Sequence, residues 1–409
     1  MKGNHAVIIE NKQEAVRCLK EIGVDPAAYK YLVPKTIHRC VKLKNLSSQA
    51  ANIIKQEMLS KGGDAALNRS AILLNGHTDV LLMGSLNHYQ LLVKKLKLQP
   101  FGLKQVAEEI ETILSNLEST TSIMELPSGQ SLELGKRTLI MGILNVTPDS
   151  FSDGGRYFSF EKAIAHAHRM VEEGADIIDI GGASSRPGGL IIDPEQELER
   201  VVPVVKRLAR DGLVISVDTF RAVVAESCLD VGASIINDIG RLQFDPQMLP
   251  VLVKTQAPVI LMHNRLQNFN KSKPASDIEA GAKPQYDDMI SEIISELEQS
   301  IDQAINAGLN PNRIIVDPGI GFGKNAYQNC LIIKRLKEFK SLGKPLLIGA
   351  SRKSFIGEIL GLKVEDRLEG SLAVLSVGIT NGADIIRVHD VAESKRVAKM
   401  TDAVWRGNG

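Results

Sequence analysis

Two side chains near the C-terminus, Arg387 and His389, have the spacing of neighbours on one face of a β-strand. An arginine fork beside an imidazole suits a phosphate or a carboxylate, because the guanidinium can donate two parallel hydrogen bonds. Residues 181–189 add two glycine pairs, two serines and one arginine, a composition that favours an anion-binding loop. These residues indicate a site for phosphate or carboxylate groups.

A second group of polar side chains suits a flat heterocycle. Asp218, Asn237 and Asp317 lie at the ends of short apolar runs. A carboxylate accepts two parallel N–H bonds and an amide both donates and accepts, so these residues could read a ring edge with an amidine-like pattern. Paired carboxylates also serve glycosidases. The single Trp and the aromatic content of 4% disfavour a sugar site, which would need aromatic rings for stacking.

The elements that must position these side chains are eight short apolar runs separated by longer amphipathic segments. Continuous apolar runs are typical of strands buried on both faces. Eight such units over about 270 residues predict a (β/α)8 TIM barrel, which usually has about 250 residues. A doubly wound sheet is the alternative, but the loop after the first run lacks its glycine fingerprint. The predicted strands are 139–146, 176–180, 214–217, 234–238, 258–262, 313–316, 345–349 and 384–388, and the predicted helices include 160–173, 195–209, 289–307 and 327–340.

Each predicted strand has a polar side chain at or just past its C-terminal end. In a barrel these ends converge on one mouth, where catalysis takes place. The first loop, residues 145–155, is long and polar, which predicts a mobile lid with Asn145 at its base. The amide oxygen of Asn145 could serve a hard cation such as Mg²⁺. The eight polar residues are Asn145, Asp179, Asp218, Asn237, His263, Asp317, Ser351 and His389.

The composition excludes several other classes of protein. The chain has 409 residues, with 49 Lys and Arg against 48 Asp and Glu and a net charge of +1. No nucleic-acid partner is expected, because broad electrostatic binding needs an excess of positive charge. Four cysteines without a C-x-x-C pair are typical of reduced thiols in the cytoplasm. No apolar run approaches the ~18 residues of a membrane span, so no membrane association is expected.

The first 120 residues have a different pattern of apolar and polar segments from the rest of the chain, and they predict a separate small α/β domain of unknown role. We hypothesise an oligomerisation or packing function for it. Its predicted strands are 7–10, 40–43, 71–74 and 79–83, and its predicted helices are 14–22, 48–60, 89–97 and 104–117. Turns are predicted at 62–64 and 75–78. Residues 121–136 are predicted to form a linker with a hairpin, whose strands are 123–126 and 131–134. The barrel is predicted to occupy residues 137–409.

Six motifs in residues 137–409 resemble those of dihydropteroate synthase, the folate-pathway enzyme that sulfonamides inhibit. In chain order they read MGILNVTPDSFSDGG, SVDTF, IINDI, VDPGIGFGK, IGASRKSFIG and IIRVHDV. The resemblance implies a TIM barrel and an alkyl- or aryl-transferase. It would condense 6-hydroxymethyl-7,8-dihydropterin diphosphate with p-aminobenzoate to give 7,8-dihydropteroate and diphosphate. A cytoplasmic homodimer is implied as well.

The resemblance also implies the roles of individual residues and a Mg²⁺ ion between Asn145 and the diphosphate. The implied catalytic set is Asp218, Lys353, Arg387 and His389. The implied pterin site is Asp218, Asn237, Met262, Asp317, Gly349 and Lys353. The implied diphosphate site is Asn145, Ser185, Arg387 and His389. The implied p-aminobenzoate site is Phe151, Arg186, Pro187, Phe322, Ser351 and Lys353.

The family's second loop usually reads Gly-Gly-Glu-Ser-Thr-Arg-Pro-Gly, and here Ala183 stands in place of the Glu. This departure keeps open an inactive pterin-binding paralogue. A barrel that transfers a methyl group from methyltetrahydrofolate to a corrinoid would share the pterin-reading positions. That alternative is disfavoured because it needs no diphosphate site, and one is predicted by the Arg387 and His389 pair, by Ser185 and Arg186 and by the Asn145 loop.

Overall fold

The computed structural model describes residues 3–69, 71, 76–118, 121–146, 156–182, 192–265 and 284–407. The chain divides into two compact units, Met1–Ser119 and Thr120–Gly409. None of the helices in the described ranges combines the length and the apolar character that crossing a bilayer requires. All four cysteines are free thiols.

The first unit is a three-stranded antiparallel sheet with helices. Its apolar core is built from alternate residues of the strands, such as Val41 and Leu82, and from helix residues such as Ile54 and Leu92. The sheet order is β1-β3-β2, with β1 (His38–Ser47), β2 (Asp64–Leu67) and β3 (His77–Ser85). The helices are α1 (Lys12–Ile22), α2 (Tyr29–Thr36), α3 (Ser48–Ser60), α4 (Leu86–Leu96) and α5 (Leu103–Glu118).

The sequence-based strand at 7–10 is wrong, because these residues form no strand and Val7 and Ile8 are 56% and 78% exposed. Apolar character alone does not make a strand unless a neighbouring strand supplies hydrogen-bond partners. The predicted turns are also wrong in part, since residues 77–78 open β3 and residue 64 opens β2. Of the strand predicted at 71–74, residues 72–74 lie outside the described residues, and Ala71 is not in a strand.

The second unit is a closed barrel of eight parallel strands, which confirms the predicted (β/α)8 fold. The strand order is β11-β10-β9-β8-β7-β6-β13-β12, and a parallel bridge between Val316 and Leu346 joins the two ends. Every predicted barrel strand is present. The strands are β6 (Leu139–Asn145), β7 (Ile177–Gly181), β8 (Ile215–Asp218), β9 (Ile235–Asp238), β10 (Val259–Met262), β11 (Ile314–Asp317), β12 (Leu347–Ile348) and β13 (Ile385–Val388).

Helices alternate with these strands, as the amphipathic segments predicted. The segment predicted as one helix over 327–340 is instead a shorter helix, Ala326–Lys334, followed by a 3₁₀ segment, Leu336–Leu342. The helices are α6 (Arg156–Glu172), α7 (Pro194–Arg210), α8 (Ala222–Asp230), α9 (Met248–Thr255), α10 (Met289–Asn306), α11 (Ala326–Lys334), α12 (Ser354–Leu360), α13 (Leu368–Thr380) and α14 (Val391–Arg406).

The hairpin is confirmed as β4 (Ser122–Glu125) and β5 (Ser131–Leu134). It belongs to the second unit and contributes buried side chains to the lower barrel core, so it is more than a linker. Four hairpin residues and seven strands share one apolar cluster. Its buried members are Met124, Leu126, Leu132, Leu134, Leu139, Met141, Ile177, Ile235, Ile260, Ile315, Leu347 and Ile385.

The functional layer of the barrel follows from the two-residue period of a strand. Side chains alternate between the two faces, so the residue two positions after an inward-facing one also faces inward. Six strands place an apolar residue in the lower cluster and a second inward-facing residue two positions later, which is polar or charged in four of the six. That second set is Asp179, Asn237, Met262, Asp317, Gly349 and Arg387.

Candidate active site

Arg387 is the centre of an ion-pair network at the C-terminal end of the barrel. Its Nε donates to Oδ2 of Asp179 at 2.5 Å, and one Nη donates to Oδ2 of Asp218 at 2.7 Å. Asp179 also accepts a hydrogen bond from Nδ2 of Asn237 at 3.1 Å. The network therefore joins β7, β8, β9 and β13, and it places one cation between two carboxylates inside the barrel.

The strand register puts the predicted residues of neighbouring strands at one level. Asn145 of β6 is paired with Gly181, Gly181 with Asp218, and Asp218 with Asn237. This row crosses four adjacent strands at their C-terminal ends. A ligand above Asp218 would therefore have an amide from the neighbouring strand β9 beside it.

Burial makes two carboxyl groups of this site titrate near neutral pH. Burial raises the pKa of Asp218 to about 7, and repulsion from Asp179 adds to the rise, although Arg387 opposes it. Burial also raises the pKa of Asp317 to about 6, against a hydrogen bond from the Gly319 N–H at 2.7 Å and the nearby charge of Lys353. Each group can accept N–H bonds as a carboxylate, and that capacity is lost on protonation.

Lys353 lies beside Phe322, which brings together two residues of the predicted p-aminobenzoate site. The Lys353 ammonium lies 4.2 Å from the centre of the Phe322 ring, a cation–π distance. Its positive charge also lowers the pKa values of both Asp218 and Asp317. Lys353 is thus close both to the two carboxyl groups of the predicted pterin site and to the aromatic ring.

Ser351 of the predicted p-aminobenzoate site contacts His389 of the predicted diphosphate site. The Ser351 hydroxyl accepts the backbone N–H of His389 at 3.2 Å and lies 3.1 Å from the ring Nδ1. Since the hydroxyl oxygen accepts from the backbone, its own proton can go to Nδ1. That arrangement leaves the imidazole proton on Nε2, where it can be donated to an anion.

The other predicted residues of this region lie on or beside the strand ends. Met262 is buried and is paired with Asp317 in the strand register. A Cβ on Gly349 would lie 3.8 Å from Cβ of Arg387, so this glycine borders the ion-pair network. Phe151, Ser185, Arg186 and Pro187 lie outside the described residues, as does Ala183.

Asn145 is suited to a Mg²⁺ ion that binds together with a phosphate ligand. It is less suited to a permanently bound metal, which would need more protein ligands. The described residues contain no group of three His, Cys, Asp or Glu side chains that could hold a metal. Asn145 supplies a half-buried amide oxygen at the end of β6. Mg²⁺ commonly takes one or two protein oxygens and completes its shell with water and substrate phosphate.

Two features of the site were not assigned from the sequence. Asp179 was noted only as a polar strand end, and its pairing with Arg387 gives it a central place. His263 was expected at the mouth, but it is fully buried and contacts Lys324 and Glu296 instead of the Arg387 network. The sequence signal for Asp179 was its position two residues after an inward-facing isoleucine in β7.

Comparisons with known proteins agree with this arrangement. The family described as pterin binding enzyme matches residues 141–389, more than half of the chain. Dihydropteroate synthase of Bacillus subtilis is 44% identical over 295 residues, which cover 72% of this chain and 97% of that protein. The crystal structure of a dihydropteroate synthase from Clostridium difficile in the presence of pteroic acid has a TM-score of 0.62 and 45% identity, and the match covers 67% of this chain and 98% of that one.

One relative also matches the N-terminal unit. A probable bifunctional folylpolyglutamate synthase/dihydropteroate synthase of Halobacterium salinarum is 36% identical over 405 residues. That match covers 98% of this chain and 47% of the other protein. This match therefore extends over the N-terminal unit as well as over the barrel of this chain.

Proposed function

The chain belongs to the pterin-binding enzyme family as a dihydropteroate synthase, and from this premise we propose how its barrel mouth carries out the reaction. The enzyme condenses 6-hydroxymethyl-7,8-dihydropterin diphosphate with p-aminobenzoate to give 7,8-dihydropteroate and diphosphate. The arrangement of Asp179, Arg387 and Asp218 at the strand ends is the observation that supports this use of the mouth.

The pterin is held by the inward-facing layer of the barrel. Asp317 and Asp218, when ionised, accept the N–H groups of the pterin ring, and Asn237 supplies an amide between them. Met262 and Gly349 line the same layer. Arg387 has two of its nitrogens committed to Asp179 and Asp218, so we assign it to hold Asp218 in place and to add positive charge near the substrate.

The reaction breaks the bond between the pterin methylene carbon and the diphosphate oxygen and forms a bond from that carbon to the arylamine nitrogen. The leaving diphosphate takes the bonding electron pair, and the arylamine proton passes to the diphosphate or to water. His389 donates to the departing diphosphate through Nε2, which stabilises its growing charge. Asp218 stabilises the positive charge that develops on the methylene group.

The arylamine is placed by Phe322, Ser351 and Lys353. The Phe322 ring packs on the benzene ring of the arylamine. The Lys353 ammonium, which lies over the Phe322 ring, supplies the positive charge of the pocket. The sequence alone assigns Phe151, Arg186 and Pro187 to the p-aminobenzoate site and Ser185 to the diphosphate site. Asn145 would hold a Mg²⁺ ion, whose charge would offset that of the diphosphate.

We propose a cytoplasmic homodimer as the working form. Four free thiols fit a reducing compartment. Large apolar side chains are exposed on the two adjacent helices α13 and α14, among them Val377, Met400, Val404 and Trp405. Burying them between two copies would remove apolar surface from water. Light scattering of the purified chain would test this, with twice the chain mass as the expected value.

The decisive test of the function measures diphosphate release from the pterin diphosphate with and without p-aminobenzoate, in the presence of Mg²⁺. Release that depends on the arylamine supports the proposal. Tight pterin binding without release would instead indicate an inactive paralogue. Methyl transfer from methyltetrahydrofolate without any diphosphate dependence would indicate the methyltransferase.

A further inference from the structure

Lys324 is a buried lysine behind the barrel mouth that the reaction proposed above does not use. It is 8% exposed, and its ammonium has three partners. It lies 2.9 Å from the carbonyl oxygen of Gly319, 3.2 Å from that of Phe322 and 3.1 Å from Nδ1 of His263. A buried charge is retained only where hydrogen bonds compensate its loss of water.

The partners fix the direction of the hydrogen bonds. Carbonyl oxygens only accept, so Lys324 donates to Gly319 and Phe322. Nε2 of His263 lies 3.2 Å from a carboxylate oxygen of Glu296, an electrostatic contact without hydrogen-bond geometry that favours a proton on Nε2. Burial lowers the pKa of Lys324 to about 7, and when Lys324 carries its proton its third N–H goes to Nδ1 of His263. The result is a chain of polar contacts that runs from Glu296 through His263 to Lys324.

The far end of the chain is anchored to helix α10. Glu296 accepts from Nε of Arg265 at 2.6 Å and from an Nη of Arg241 at 3.1 Å. Arg265 in turn lies over the ring of Tyr286, 4.2 Å from its centre. Burial opposes the ionisation of Glu296, but the hydrogen bond from Arg265 and the nearby His263 hold its pKa at about 2. The anchor is therefore a fixed negative charge.

The near end of the chain holds the loop that follows β11. Gly319 has φ of +70°, and a Cβ there would lie 1.9 Å from the carbonyl oxygen of His263, so the loop is pressed against β10. Gly321 has φ of +83°, and a Cβ there would lie 2.8 Å from Cδ of Lys353. The loop backbone thus contacts the Lys353 side chain at Gly321. Lys324 holds the same backbone through its bonds to the carbonyl oxygens of Gly319 and Phe322.

We propose that Lys324 and His263 are positioning residues for the arylamine, because their chain to Glu296 holds the Phe322 ring and the Lys353 side chain in the places that the arylamine requires. This inference rests on the proposed function. Asp317 lies on β11 itself, so its backbone position is set by the barrel, although its carboxylate accepts the Gly319 N–H and lies near the Lys324 charge. Loss of the chain should therefore affect p-aminobenzoate more strongly than the pterin.

The test compares KM for each substrate and kcat in full-length variants. Lys324→Met and His263→Leu remove the chain, and each is expected to raise KM for p-aminobenzoate by about tenfold or more. KM for the pterin diphosphate should change by less than about threefold. His263→Gln offers an amide acceptor for Lys324 and an amide donor for Glu296, and it should stay within about threefold of the wild type.

Lys344→Met is the matched control. Lys344 donates to the carbonyl oxygen of Pro311 at 2.8 Å, near the N-terminal ends of β11 and β12. It should leave both KM values unchanged. If Lys324→Met fails to fold, the contrast between His263→Leu and His263→Gln decides alone.

Equal losses for both substrates, without rescue by glutamine, would show a merely structural role and overturn the inference. Unchanged KM for p-aminobenzoate in His263→Leu would also overturn it. Both outcomes can be measured only if the wild-type protein shows arylamine-dependent diphosphate release. Wild-type protein without arylamine-dependent diphosphate release would overturn the proposed function, and this inference with it.

Discussion

Arg387 and Asp179 form an ion pair between β13 and β7, with 2.5 Å between Nε and Oδ2. Asp179 is fully buried, and the two residues are 208 positions apart in the chain. A second carboxylate, Asp218, is bound to the same guanidinium. The pair therefore fixes the orientation of a cation at the centre of the mouth, and its two carboxylates offset the cost of burying that charge.

Asp179→Asn should weaken both folding and catalysis. The variant removes a buried negative charge, leaves Arg387 with one ionised partner and ends the repulsion that raises the pKa of Asp218. We expect a loss of about 3 kcal/mol in the free energy of unfolding and a fall of about 10²-fold in kcat/KM. Urea unfolding and steady-state kinetics would measure the two effects.

Asp176→Asn is the control, because Asp176 lies at the opposite end of β7 and pairs with Arg137 at the surface. Its kcat/KM should match the wild type. Equal kcat/KM in the two variants would contradict a central place for Asp179.

Asp218→Ala and Lys353→Ala should each cost about 10²–10³-fold in kcat/KM, the scale of one preorganised charged group. In the proposed reaction Asp218 stabilises the methylene charge, and Lys353 serves both substrates through its place between Asp317 and Phe322. Steady-state assays with each substrate varied would measure the losses. Lys254→Ala removes an exposed lysine paired with Glu226 and is expected to be neutral. Near-normal kinetics in either site variant would refute the assignment.

Pterin affinity should fall as the pH is lowered from 8 to 5.5. The pKa of Asp218 is about 7 and that of Asp317 about 6, so lowering the pH protonates first one and then the other. Each protonation removes an acceptor of the pterin N–H groups. Titration calorimetry with 6-hydroxymethylpterin across this range would record the change. Asp218→Asn should bind more weakly and lose the step near pH 7, and a pH-independent Kd in the wild type would count against both carboxylates as ligands.

The hairpin should govern stability without affecting catalysis. Leu134 is 2% exposed and belongs to the lower barrel cluster, so Leu134→Ala should lower the free energy of unfolding by about 2–5 kcal/mol. Both KM values should be unchanged, since the site lies a layer higher. Ile123 of the same hairpin is 63% exposed, and Ile123→Ala should be close to neutral. Chemical denaturation distinguishes the two, and equal stabilities would mean that the hairpin does not close the core.

The chain 120–409 should fold and retain arylamine-dependent turnover. The core clusters of the barrel are built only from residues 124 onwards. If the N-terminal unit serves oligomerisation or packing, removing it should change the mass measured by light scattering or lower Tm, with kcat/KM within about threefold of the full chain. Unchanged mass, Tm and activity would exclude that role for residues 1–119.

Local sequence patterns determined the barrel and most of the residues in its mouth. Continuous apolar runs marked all eight barrel strands, because strands buried on both faces leave a short-range signal. Polar residues at the strand ends, such as Asp317, marked the mouth, the two-residue spacing put Arg387 and His389 on one face of a strand, and the motifs indicated the reaction. None of this required knowledge of which strands are neighbours.

Only the tertiary structure decided which side chains pair. Closure of the barrel brings Asp179 to Arg387, and burial at that point raises the pKa of Asp218, so neither effect has a local sequence signal. The same holds for His263, which ends a strand like the other seven residues but is drawn into the chain between Lys324 and Glu296. At residues 7–10 the absence of a pairing strand overrode an apolar run, because a strand is stabilised by its neighbour in the sheet.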